Sequence, residues 1–158
     1  MKNKRCIAII PARGGSKRIK RKNIKKFFGY PIISYAIKNA LSSKLFDQVI
    51  VSTDNLKIAK IAKKYGATIP FIRSKKFSGD YVGILEVMSD AVKRISPNYK
   101  NLFAVCCIFP ATPLLSSNDL KKSFKIFKKK KWEYVFGAIK YSHPPQRGFF
   151  LNKNNSIN

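Results

Sequence analysis

The stretch Arg5-Cys6-Ile7-Ala8-Ile9-Ile10-Pro11, running on into Ala12-Arg13-Gly14-Gly15-Ser16-Lys17, decides how the chain is read. Four apolar residues in a row, Ile7 to Ile10, closed by a proline, predict a buried strand. A basic loop containing two glycines leaves its carboxyl end. In open α/β sheets that is where ligands sit, beyond the strand ends where the strand order reverses.

The remaining chain alternates helical and strand patterns around this opening. A polar loop is expected over 12–29, after which Pro31 suits the first turn of a helix. Its apolar stripe is Ile32, Ile33, Tyr35, Ala36, Ile37, Ala40 and Leu41. A second strand is predicted at 48–53. Asp54 or Asn55 then caps a helix with the apolar face Leu56, Ile58, Ala59, Ile61, Ala62 and Tyr65, stopped by Gly66. Further strands are read at 68–73, 102–109 and 133–139. A helix is read at 84–95, ended by Pro97, and Ser116-Ser117-Asn118-Asp119 has capping-box spacing for another through Phe127. Strands alternating with helices imply an α/β fold, a doubly wound and mostly parallel sheet with helices on both faces. One domain is expected over 1–158. At its end 149–151 reads as a strand, 152–155 as a turn and 156–158 as the start of a return strand, which predicts a domain incomplete at its C-terminus.

Composition narrows the function classes. With 158 residues and 45% hydrophobic content the chain can bury one core of ordinary size. No apolar run approaches the roughly 20 residues needed to cross a bilayer. The apolar run after Lys2 to Arg5 is too short for a signal peptide, so a cytoplasmic protein is expected. Cys6, Cys106 and Cys107 lack metal-ligand spacing, and His143 cannot complete a zinc site with them. They are read as buried reduced thiols. The formal charge of +26 invites a nucleic-acid reading. Most of that charge is lysine spread along helices, such as Lys57, Lys60, Lys63 and Lys64, as expected of solvated faces with long stems over apolar surface. Only 13–26 combines dense charge with glycine and turn residues.

That loop has the makings of an anion cradle. Gly14 and Gly15 let the backbone bend closely around a ligand and turn successive N–H groups into one concavity. Arg13, Lys17 and Lys22 would neutralise a triphosphate from several sides. The glycine-to-lysine spacing is not that of a Walker loop, and the dinucleotide-binding glycine pattern is absent. A plain basic surface turn is the competing reading; position directly after the buried first strand argues against it.

The segment Pro11-Ala12-Arg13-Gly14-Gly15-Ser16-Lys17, closing with Lys22-Asn23, resembles the phosphate loop of the cytidylyltransferases that activate nine-carbon acidic sugars, the acylneuraminate and pseudaminate group. The similarity continues through Val51-Ser52-Thr53-Asp54, Lys64-Tyr65-Gly66-Ala67 and Pro70-Phe71-Ile72-Arg73-Ser74. It resumes at Cys106-Cys107-Ile108-Phe109-Pro110, at Ser116 to Leu120, and at His143-Pro144-Pro145-Gln146-Arg147.

This resemblance implies a nucleotide-diphospho-sugar transferase fold of the GT-A, Rossmann-like kind. It also implies CTP as co-substrate, a magnesium ion and a homodimer. The reaction would join CMP to a nonulosonic acid and release pyrophosphate. By the same resemblance Arg13 and Lys22 would be catalytic; Ala12, Gly14, Gly15, Ser16, Lys17, Asn23, Arg73, Ser78 and Asp80 would bind the nucleotide. Phe109, where the neuraminate branch carries glutamine, together with Gln146 and Arg147, points to the pseudaminate branch and would contact the sugar. N-acylneuraminate is the alternative substrate, and Pro144 to Arg147 also fits a stiff connection into the next strand.

The chain departs from the family pattern in places. Gly79, Val82 and Ile84 stand where the pseudaminate branch tends to have Asp, Thr and Thr, which puts hydroxyl contacts there in doubt. The family's metal-binding Asp-x-Asp segment is missing, so its ligands are expected beyond Asn158. Asp54 is the one spare carboxylate near a strand end, read first as a helix cap. An inactive fragment of such an enzyme and a basic nucleic-acid-binding module remain the other readings, though the resemblance argues against a nucleic-acid partner.

Overall fold

A computed structural model describes residues 5–95, 102–129 and 132–140. The opening strand forms as read: β1 spans Arg5–Pro11, and Ile7 to Ile10 are fully buried. The loop after it is more structured than its polarity suggests. It contains a short 3-10 turn, Lys22–Ile24, and a small hairpin of β2 (Lys26–Phe27) and β3 (Tyr30–Pro31). The hairpin turns through Phe28 and Gly29, both at positive φ, as a two-residue turn requires. Pro31 is therefore the residue before α1 (Ile32–Ser43) rather than part of its first turn.

Next come β4 (Gln48–Ser52), α2 (Leu56–Lys64), a 3-10 turn at Lys75–Phe77, α3 (Ile84–Ile95), β5 (Leu102–Cys107) and α4 (Ser117–Lys129). Asn55 caps α2, its side chain accepting from the N–H groups of Lys57 and Ile58. Gly66 follows α2 at φ 93, a conformation that glycine adopts without penalty. Ser116 and Asp119 form the capping box of α4: Ser116 N–H donates to Asp119 Oδ2 over 3.0 Å, and Asp119 N–H to Ser116 Oγ over 3.2 Å.

The strands form a parallel sheet of order β4-β1-β5. Alternation along the strands sends side chains to opposite faces. Ala8, Ile10, Val49 and Val51 pack under α1, α2 and α4, with Ile33, Ile37, Ile58 and Leu120. Ile7, Ile9 and Ile50 pack under α3, with Ala91 and Ile95. The sheet is thus covered on both faces, as a doubly wound fold requires. The chain steps from β1 to β4 on one side and then to β5 on the other, so the strand order reverses beside β1.

Two predicted strands do not form. Residues 68–73 keep only a bridge between Thr68 and Ile50, and further along Arg73 N–H reaches the Thr53 carbonyl just past β4. Residues 133–139 are irregular, with Tyr134, Phe136 and Ile139 exposed. Strand-like composition needs a neighbouring strand to hydrogen-bond to, and among the described residues nothing pairs with the outer edge of β5. Leu41 and Leu56, read as core, are exposed, and so is Cys107. All three cysteines are free. Pro97 and the strand and turn read over 149–158 lie outside the described residues.

Candidate functional site

The site is assembled at the carboxyl ends of β1 and β4. Ala12 is buried, and its N–H donates to the Ser52 carbonyl over 2.9 Å, extending the β1–β4 pairing by one step. Gly14 N–H donates to Asp54 Oδ1 over 2.8 Å. Arg73 N–H donates to the Thr53 carbonyl over 2.8 Å. The end of β4 and the two residues after it, Ser52-Thr53-Asp54, therefore hold the glycine loop at two points and the Arg73 segment at a third. Asp54 is not the helix cap that its position suggests; Asn55 takes that role and leaves the carboxylate to the loop.

Gly14 answers to close packing. A β-carbon there would lie 2.9 Å from Asn55 Nδ2 and 3.0 Å from Asn55 Cβ. Ser16 N–H turns back to the Gly14 carbonyl over 3.0 Å. The N–H groups of Ala12, Gly14 and Ser16 are thus engaged within the protein, so the cradle relies on side chains more than the two glycines alone suggest.

Asn23 and Arg73 are buried polar members of the site, as are Ser52 and Thr53. Asn23 is 4% exposed and donates through Nδ2 to the Arg13 carbonyl over 2.9 Å, while its Oδ1 is buried without a partner. Arg73 is also 4% exposed, and its Nε and Nη2 are buried without partners. Burial pushes its guanidinium below the ordinary value, the Asp54 carboxylate pulls the other way, and Arg13 adds to the lowering. Buried polar atoms are almost always hydrogen-bonded. Asn23, which bonds the Arg13 carbonyl, thus keeps an open acceptor, and Arg73, whose guanidinium feels the Arg13 charge, keeps two open donors.

Arg13 and Lys17 converge on one carboxylate. Arg13 Nη1 lies 2.7 Å from Asp80 Oδ1 and donates to the Gly79 carbonyl over 2.9 Å; Lys17 pairs with Asp80 Oδ2. The hydrogen bond from Lys17, with the charges of Lys17 and Arg13, holds the Asp80 carboxyl below its usual range. Ser78 donates to the Ser74 carbonyl over 2.9 Å, closing its own 3-10 turn. Lys22 opens the Lys22–Ile24 turn with an exposed side chain. Phe109 is exposed just past β5, where Ile108 N–H still donates to the Ile9 carbonyl over 3.0 Å. Gln146 and Arg147 lie outside the described residues.

Sequence patterns alone leave Ser52, Thr53 and the tether of Asp54 unassigned, because their partners are distant in the chain. Thiolate chemistry has no support at Cys6 and Cys106, since burial raises both thiols, Cys106 to about 11.

Residues 7–146 match the family described as cytidylyltransferase. The chain belongs to the cytidylyltransferase family. It is 43% identical over 157 residues to the pseudaminic acid cytidylyltransferase of Campylobacter jejuni subsp. jejuni, covering 99% of this chain and 66% of the relative. It is 38% identical over 148 residues to a Helicobacter pylori protein named for pseudaminic acid cytidylyltransferase and a UDP-sugar hydrolase, covering 93% of this chain and 28% of that one. Among solved structures, CMP:2-keto-3-deoxy-manno-octonic acid synthetase complexed with CTP superposes with TM-score 0.68 at 16% identity, over 80% of this chain and 48% of that one. This likeness shows the cytidylyltransferase fold. The chain spans just under two thirds of the length of the Campylobacter relative.

Magnesium does not fit the described residues. Among them no three histidine, cysteine or acidic side chains gather as a metal site. Asp54 and Asp80, the acids nearest the loop, are held by Gly14 and by Arg13 and Lys17. No helix among the described residues is long and apolar enough to cross a membrane.

Proposed function

We propose that this chain carries the nucleotide-binding part of an enzyme that transfers CMP from CTP to a nine-carbon acidic sugar, pseudaminic acid in preference to N-acylneuraminate. The carrying observation is the set of unpaired buried groups beside a cationic loop. Cytosine offers an amino donor for Asn23 Oδ1 and ring acceptors for Arg73 Nε and Nη2, while Arg13, Lys17 and Lys22 suit the triphosphate.

In the reaction a sugar hydroxyl attacks the α-phosphorus, forming the new P–O bond as the bond to the β-phosphate oxygen breaks. The hydroxyl proton leaves to solvent and pyrophosphate departs. Charge moves onto the departing oxygens, where fixed cations stabilise it without reorganising. Arg13 and Lys22 take that role, with Phe109, Gln146 and Arg147 toward the sugar. A reaction that consumes CTP fits the cytoplasm, and the family resemblance supports a homodimer and a magnesium ion held by residues other than those described.

Calorimetry with CTP and UTP, followed by pyrophosphate release with each sugar, tests this reading. CTP should bind and UTP should not. Arg13→Ala and Lys22→Ala should each lower turnover about 10²-fold. Equal heats from both nucleotides, or unchanged turnover in both variants, would overturn it; faster turnover of N-acylneuraminate would reassign the sugar.

A further inference from the structure

The two cations best placed for a polyphosphate already hold an anion of the protein's own. One Asp80 carboxylate reaches both Arg13 and Lys17, one oxygen to each, and the neighbouring Gly79 carbonyl takes a further bond from Arg13 Nη1. We propose that Asp80 is an internal counter-ion that the triphosphate must displace, so that residues 74–83 strap the phosphate loop until substrate arrives and return as pyrophosphate leaves. This rests on the reading of the loop as the triphosphate seat.

Three features support it. The geometry is that of a phosphate, two oxygens bridging two cations. The carboxylate cannot keep both cations while a polyphosphate of the same sign occupies them. The near half of the strap can also move as a unit, because the bonds of its 3-10 turn are internal: Phe77 N–H to the Ser74 carbonyl, Ser78 N–H to the Lys75 carbonyl, and Ser78 Oγ to the Ser74 carbonyl, while Gly83 hinges on α3 through Glu86 and Val87. The pairs lie near the surface, with Lys17 79% exposed and Asp80 29%. Exposed pairs are individually weak, so a multiply charged ligand can replace them. Asp80 is tethered, however, and competes at a high effective concentration.

The sign of the effect sets this role apart from a nucleotide contact. Calorimetry with inorganic tripolyphosphate at low ionic strength, on wild type, Asp80→Asn, Asp80→Ser and Asp80→Glu, decides it. The two neutral variants should bind tripolyphosphate about three- to thirtyfold more tightly, and Asp80→Glu should stay near wild type. Either neutral variant, once shown folded by circular dichroism, suffices. Equal or weaker binding by the neutral variants, or no binding by any protein, overturns the proposal. Preference for CTP over UTP is read separately on wild type, so failure of the functional reading shows there and leaves the tripolyphosphate result to judge the strap.

Discussion

Arg73 lies where burial and unmet hydrogen bonding coincide, a combination that folding alone does not favour. Leaving buried donors unpaired costs stability, and replacing them with an apolar side chain of similar length is often neutral or stabilising. Arg73→Met should therefore keep or raise the melting temperature while lowering CTP affinity at least tenfold. Thermal unfolding and calorimetry on one preparation check both halves. A destabilised variant with wild-type affinity would make Arg73 a packing residue. This residue is identified in the sequence only through family resemblance, since an arginine after an apolar run has no local signature. Asp54 is harder still: its Gly14 partner lies 40 positions away, and an acid before a helix reads as a cap.

At the scale of elements, α4 shows how far local signals reach. Its capping box is legible because both partners lie within four residues, and Ser116→Ala should cost about 1 kcal/mol in denaturant unfolding. The Ser116 hydroxyl, and then its N–H, hold Asp119 below the ordinary 3.8. A depressed carboxylate adds to stability above its unfolded value, and that contribution is lost as pH falls through the folded one. Wild type should therefore exceed Asp119→Asn in stability at pH 6, with the difference shrinking below about pH 4. A constant gap across an acid series of melts would remove the ionised form from the cap. The predicted strands at 68–73 and 133–139 mark the limit of such reading. Their composition suits a sheet, but pairing depends on what lies alongside, and no local pattern records that.

Across the whole molecule, the parallel sheet and its two covered faces follow from an apolar run that has no polar side. Ile9 is completely buried at the centre of that sheet. Ile9→Ala should cost about 2–5 kcal/mol, measured by denaturant unfolding, and a cost below 1 kcal/mol would mean the sheet is not the core. The charge of +26 is less informative, because the lysines are dispersed. The few acids say more. Asp47, Asp54, Glu86 and Asp119 each accept a backbone N–H, from Cys6, Gly14, Gly83 and Ser116, while Asp80 and Asp90 pair with arginines.

The shared anchorage of Ala12, Gly14 and Arg73 on Ser52-Thr53-Asp54 would give the proposed base and phosphate contacts a common foundation. A change at that foundation would disturb both ends of the nucleotide together. Substitutions there should then combine non-additively with changes in either recognition group. Tuning one end without the other would have to begin at the side-chain tips.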